Sequence, residues 1–199
     1  MPTENPPRPP HPGRAARVVR DATAADAAAC ARIYRPYVLD TAITFELDPP
    51  TEVEVAARIE AAVATHAWLV LEDGGGDGSE DGREVVGYAY GGPFKARPAY
   101  RWSCEVSVYL DPDRHGSGGG RVLYTALLAR LTERGYRMAA AGIAQPNPAS
   151  NRLHASFGFE PVGTYRKVGW KNGAWHDVTW VQRFLGEPHL GPEPPPEPH

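Results

Sequence analysis

Glu105 is the only carboxylate on the apolar run Ser103-Cys-Glu-Val-Ser-Val-Tyr-Leu110, where alternation of Cys104, Val106 and Val108 predicts a half-buried strand. Desolvation raises the pKa of a carboxyl group toward neutrality, which makes a glutamate in such a strand a candidate general base. Past the strand the chain reads His115-Gly-Ser-Gly-Gly-Gly120 and runs into Arg121-Val-Leu-Tyr-Thr-Ala-Leu-Leu-Ala-Arg-Leu131. Backbone N–H groups of Gly116, Ser117, Gly118, Gly119, Gly120 and Arg121, at the positive end of a helix, would form an anion cradle whose usual guest is a phosphate. It is not a Walker loop, because no Lys-Ser/Thr follows, and no acidic residue ends the next strand as a dinucleotide site requires. Lys95, Arg97 and Arg101 crowd seven positions near Phe45, Tyr100 and Trp102. Cations beside aromatic rings suit a small molecule with an anionic or tetrahedral group. His154 has two readings, a proton donor near neutral pH or a satisfied packing residue beside a helix face.

The elements that must hold these groups follow from caps and periodicity. Arg17-Val-Val-Arg20 predicts a strand, and Thr23 with Asp26 opens a helix carrying Cys30, Ile33, Tyr34, Tyr37 and Val38 on one face. Thr51 and Glu54 form a capping box for a second helix with Val55, Ile59 and Val63. Strands near 67–72 and 85–92 precede strand 103–110. The helix after the glycine turn shares Leu123, Leu127 and Leu131 on one face and stops at Gly135. A strand at 138–144 leads to Asn147 as N-cap, with Pro148 at the first helical position, and that helix ends at Gly158. Strands near 159–166 and 175–184 close a βααβββαβαββ order, a mixed α/β sheet with helices on both faces.

The chain has 199 residues and a net charge of −3, which predicts one domain and speaks against nucleic acid as a required partner. No apolar run approaches the ~20 residues that span a bilayer. The 16–185 segment is the expected domain, between Pro-rich tails at 1–15 and 186–199 that read as disordered or loosely attached. The N-terminus lacks the apolar region of an export signal. Cys30 and Cys104 read as free buried thiols, and the whole as a cytoplasmic protein. Residues 73–84, with five glycines and five acids, read as a flexible acidic loop whose spacing does not fit a calcium-binding loop; no metal site is expected.

Strand 103–110, the turn 115–120 with its helix, and Asn147-x-x-Ser-x-x-Leu-His-x-x-x-Gly158-Phe159 resemble the acyl-CoA-binding core of the GNAT superfamily of N-acetyltransferases. Further motifs are similar to the phosphinothricin N-acetyltransferases: Thr-Phe45-Glu, Gly-Pro-Phe-Lys95-Ala96-Arg97-x-Ala-Tyr100, Glu105-x-Ser-Val-Tyr-Leu110, Leu-Tyr-Thr125 and Gly-Trp170-Lys-x-Gly-x-Trp175-His-Asp177-Val. The likeness runs from about 17 to 185. It departs at the 73–84 insertion, and at His115 and Gly116, which stand where the pattern carries Gln or Arg donors. The resemblance implies a GNAT fold, acetyl-CoA as co-substrate and a homodimer. It also implies acetylation of phosphinothricin, methionine sulfoximine or a related free amino acid. Alternatives are acetylation of another amine or a protein N-terminus, and a non-catalytic CoA-binding module. Carried over by residue, it places a base at Glu105 and backbone contacts to the acetyl group and pantetheine arm at Val108, Tyr109 and Leu110. The pyrophosphate falls at Gly116 to Arg121, and a pantetheine contact at Asn147. The acceptor falls at Phe45, Lys95, Ala96, Arg97 and Glu105, and His154 stands where many relatives place a tyrosine acid.

Overall fold

Asp26 organises the entry to the first helix. Its carboxylate accepts from the Thr23 amide (2.8 Å) and from the two terminal guanidinium nitrogens of Arg20 (2.7 and 2.8 Å). A 3-10 turn, Ala24–Asp26, runs from there into α1 (Ala27–Asp40). The Thr51–Glu54 box caps α2 (Glu52–Thr65), with the Thr51 amide 2.7 Å from the Glu54 carboxylate. Gly118, at φ +86°, caps α3 (Gly119–Glu133), a conformation that glycine adopts without strain. Asn147 caps α4 (Pro148–Ser156), its side-chain oxygen accepting from the Ser150 amide at 3.1 Å. The structure, a computed structural model, describes residues 17–74, 82–187 and 191–199.

The strands are β1 (Val18–Asp21), β2 (Ala67–Asp73), β3 (Glu84–Pro93), β4 (Ser103–Leu110), β5 (Met138–Ala144), β6 (Glu160–Lys171) and β7 (Ala174–Phe184). They form one sheet in the order β1-β2-β3-β4-β5-β7-β6, antiparallel throughout except for β4 beside β5. The expected element order is the observed one. The last hairpin is longer than expected, because Asn172 (φ +51°) and Gly173 (φ +74°) make a tight turn that lets both strands run on to Lys171 and Ala174.

One feature of the sheet decides where a ligand can enter. β4 and β5 pair only from Ser103–Met138 to Glu105–Ala140. Beyond that, β4 stays with β3 as far as Leu110, and β5 stays with β7 as far as Ala144. The sheet therefore divides between Val106 and Ala141.

Two cores cover the two faces. Leu123, Leu127 and Leu131 of α3 pack on Leu71, Cys104, Val106, Ala139, Ala141 and Ile143. Ile33 and Tyr37 of α1, with Val55 and Ile59 of α2, pack on Trp68, Val70 and Tyr88. Side chains alternate along a strand, so Cys104 and Val106 on the α3 face turn Glu105, Ser107 and Tyr109 toward α1 and α2. By the same register Ala140 and Gly142 face that side.

The N-terminal tail (1–15) and positions 75–81 of the acidic insertion lie outside the described residues. The end of the C-terminal segment, which reads as loosely attached, lies against the domain. The Trp102 indole N–H donates to the Pro196 carbonyl (3.0 Å), Arg101 pairs with Glu197, and the His199 amide donates to the Arg134 carbonyl (3.1 Å). Cys30 and Cys104 are buried free thiols. Among the described residues no helix is long and apolar enough to cross a membrane.

Candidate active site

The gap in the sheet is lined by Val106, Ser107 and Val108 from β4 and Ala141 to Ala144 from β5, with Asn147 and His154 at one end. From Val106 onward, β4 has no ladder partner on its β5 side, so an extended amide-bearing arm can bond there as an added strand would. The side chains of Tyr109 and Leu110 are committed elsewhere. Tyr109 meets the rings of Tyr34 and Tyr37 edge-on at 4.8 and 5.1 Å, and Leu110 lies under Gly87 and Gly119. They offer the gap their backbone only.

The glycine turn opens at the far end of β4. A Cβ on Gly116 or Gly118 would meet nothing within 4 Å, so the backbone there faces open space, and both residues have positive φ. Gly119 and Gly120 differ: a methyl on Gly119 would come within 2.9 Å of Leu71 and 3.1 Å of Leu110, and on Gly120 within 3.5 Å of Leu153. These two glycines let the start of α3 press onto the sheet. Positive charge flanks the turn. Arg17 donates to the Ser117 carbonyl (2.6 Å), and Arg121 reaches the Ser156 hydroxyl (3.0 Å) with its guanidinium 5.4 Å from the Phe157 ring centre. His115 is fastened under the turn. The Tyr37 hydroxyl gives its single proton to the Leu110 carbonyl (2.6 Å), so its oxygen accepts from His115 Nε2 at 2.7 Å.

On the α1/α2 face, Glu105 is half-buried, and burial pushes its carboxyl pKa up while the Lys95 ammonium opposes that rise. Lys95 Nζ sits 4.9 Å above the Phe94 ring and 5.6 Å from that of Trp180. Phe94, Lys95, Ala140, Tyr165, Trp180 and Gln182 line a cavity of about 370 Å³, and Ala140 is the strand partner of Glu105. Ala96 and Arg97 are exposed on the same loop. Arg101 turns away to its own Pro98 carbonyl (2.9 Å) and to Glu197. Phe45, in the α1–α2 connection, lies against Gly169 of β6 with its ring 6.2 Å from that of His176.

His154 is buried, and its Nδ1 lies 2.8 Å from the Ser150 carbonyl. A carbonyl only accepts, so Nδ1 carries the proton, and Nε2 of the neutral ring accepts from the Tyr124 hydroxyl at 2.8 Å. Burial lowers the imidazole pKa, with the Ser150 carbonyl pulling the other way, which favours that neutral form. Tyr124 stands in the Leu-Tyr-Thr125 motif of the resemblance, where the sequence gives it no role of its own. Its fully buried ring carries the hydroxyl to the gap beside His154. No group of three or more metal-ligating side chains exists among the described residues.

Residues 19–180 match the family model described as an acetyltransferase (GNAT) domain. A phosphinothricin N-acetyltransferase of Streptomyces coelicolor is 41% identical over 159 residues, 77% of this chain and 87% of the relative. An L-methionine sulfoximine/L-methionine sulfone acetyltransferase of Salmonella typhimurium is 34% identical over 167 residues, 83% and 92% of the two chains. Among solved structures, a GNAT superfamily phosphinothricin acetyltransferase from Sinorhizobium meliloti in complex with AcCoA is similar with a TM-score of 0.79 and 38% identity, over 88% of this chain and 94% of that one.

Proposed function

The chain belongs to the GNAT acetyltransferase family, and from that premise we propose that it transfers acetyl from acetyl-CoA to the α-amine of phosphinothricin, methionine sulfoximine or a similar glutamate-like amino acid. The observation that carries the substrate class is the shared face. Lys95, whose ammonium acts on the Glu105 carboxyl, lines an aromatic-walled cavity together with Ala140, the strand partner of Glu105, so a base and an anion partner stand close to one another.

Acetyl-CoA supplies an acetyl group activated as a thioester. The open turn at Gly116 and Gly118, with Arg17 and Arg121 beside it, fits the pyrophosphate, and the unpaired edge of β4 from Val106 to Leu110 fits the pantetheine arm. Asn147, already capping α4, borders that arm. Glu105 takes a proton from the substrate ammonium, directly or through one water, and so frees the amine lone pair. N–H groups on the open edge of β4 polarise the carbonyl oxygen on which negative charge develops. The Tyr124–His154 pair returns a proton to the departing sulfur. Because burial keeps the ring neutral and resting Nε2 holds no proton, the proton that reaches the sulfur is that of the Tyr124 hydroxyl, which turns from Nε2 to the thiolate; His154 positions that hydroxyl, and the proton shed by the newly acylated nitrogen restores it. Lys95, with Arg97 on the same loop, holds the substrate's second anionic group.

We assign the exposed apolar side chains of β6 and β7, among them Val162, Tyr165 and Phe184, to contact with a second copy of the chain in a homodimer. A cytoplasmic setting fits the two free thiols. The direct test of the reaction is mass spectrometry of phosphinothricin incubated with enzyme and acetyl-CoA. One acetyl group on the α-nitrogen is the expected product; acetylation elsewhere, or none, refutes the assignment.

A further inference from the structure

Phe45 occupies a connection with no helix or strand of its own, Thr41 to Thr51, yet its neighbours on both sides are fixed. Lys171, the last residue of β6, is only 4% exposed despite its charge. Its ammonium donates to the Thr44 carbonyl at 2.7 Å, across 127 positions of sequence. The Thr44 hydroxyl is 2.5 Å from the Tyr34 hydroxyl of α1. On the other side, Glu46 accepts from Tyr34 (3.1 Å) and takes a two-pronged bond from Arg58 of α2 (2.7 and 3.1 Å). Between these anchors the Phe45 ring lies against Gly169, where a methyl group would overlap ring carbons Cε2 and Cζ. His176, the strand partner of Gly169, bonds the Lys171 carbonyl through Nε2 at 2.9 Å, and its ring stands 6.2 Å from that of Phe45.

We propose that Gly169 and Lys171 are positioning residues that clamp the Thr44–Glu46 segment to the β6–β7 hairpin, holding Phe45 as a fixed wall of the acceptor site and so setting which amino-acid side chains fit. The assignment of that wall to the acceptor rests on the proposed function; the clamp itself rests on the contacts above. A lysine this covered loses much of its hydration, and its placement on a single carbonyl, rather than in water, is explained by a loop that must not move. Glycine at 169 is required for a second reason: no side chain can stand where the ring lies. Two motifs that the sequence presents far apart, Thr-Phe45-Glu and Gly-Trp170-Lys, thereby become one device.

The test joins hydrogen exchange with kinetics on the full chain. In Lys171→Met, amide exchange across residues 42–47 should speed up at least about fivefold while the rest of the protein is unchanged. The acceptor KM should rise about tenfold, with kcat within about threefold and acetyl-CoA affinity within about twofold. Lys171→Arg should recover most of the loss. Gly169→Ala, checked for folding by circular dichroism, should raise the same KM by displacing the ring. Combining Lys171→Met with Phe45→Ala should add little to Phe45→Ala alone, since both act through one ring. Unchanged exchange at 42–47 in Lys171→Met overturns the clamp, as does full additivity with Phe45→Ala. If the wild type acetylated no amino acid, the proposed function would fall, and the exchange result would still decide the clamp.

Discussion

Replacing Glu105 by Gln keeps the shape of the side chain and removes its ability to take a proton. A positioned base contributes about 10²- to 10⁴-fold, or roughly 2.7 to 5.4 kcal/mol of barrier. The structure argues that the loss is not made good by a neighbour. Glu46, the other carboxylate near this face, is held by Arg58 and Tyr34. The loss should appear in kcat/KM for the amino acid, measured by thiol release, while acetyl-CoA affinity by calorimetry stays within about twofold, because the glycine turn lies at the far end of β4. The pH profile gives a second, independent sign. Burial raises the Glu105 pKa, so wild-type activity falls as pH drops through that raised value and the base becomes protonated. The variant should lose that acid limb, and its residual rate should instead climb steadily with pH as the substrate amine deprotonates in solution. Since a carboxyl with a raised folded-state pKa weakens the fold above its normal titration range, the variant should melt at the same temperature or higher. Retention of more than a tenth of wild-type kcat/KM, with the acid limb intact, would remove Glu105 as the base.

Three further predictions concern separate parts of the molecule. Gly118→Val should weaken acetyl-CoA at least tenfold in a calorimetric titration, since φ +86° disfavours a β-branched residue and the side chain would enter the open turn; unchanged affinity would put the phosphate elsewhere. Tyr124→Phe should lower kcat about ten- to a hundredfold with acetyl-CoA binding intact, and an unaltered kcat would remove the Tyr124–His154 pair from the reaction. His66 is buried against Tyr136, and burial, helped by Arg134, lowers its pKa from 6.5 to about 4. The neutral ring's contribution is thus complete above about pH 6.5 and is lost as pH falls toward 4, at most about 3 kcal/mol in all. Urea unfolding at pH 7 and pH 5 should show that decline, and should show less of it in His66→Phe; the same loss of unfolding free energy in both proteins would contradict it.

How far the sequence reveals this molecule depends on the range of the interaction. Caps act within three residues, and so Thr51–Glu54, Asn147–Pro148 and the stop at Gly135 are legible from residue types alone. The long final hairpin had a local signal too, Asn172-Gly173, but the exposed apolar residues of β6 hide the alternation that would have lengthened the strands. The parting of β4 from β5 has no such signal. A period of two says which face a residue takes, as it does for Glu105, and nothing about where its strand loses a partner. Pairings across many residues are equally silent: Tyr124 with His154, Lys171 with Thr44, and the packing role of Gly119 all emerge only when the sheet brings them together.

Acetyl transfer to a glutamate-like amino acid is read directly as thiol release from acetyl-CoA across a panel of phosphinothricin, methionine sulfoximine, the standard amino acids and spermidine. Selective turnover of the first two is the predicted result. Turnover of spermidine, or of amino acids without a second anionic or tetrahedral group, at equal kcat/KM would contradict the role given to Lys95 and Arg97.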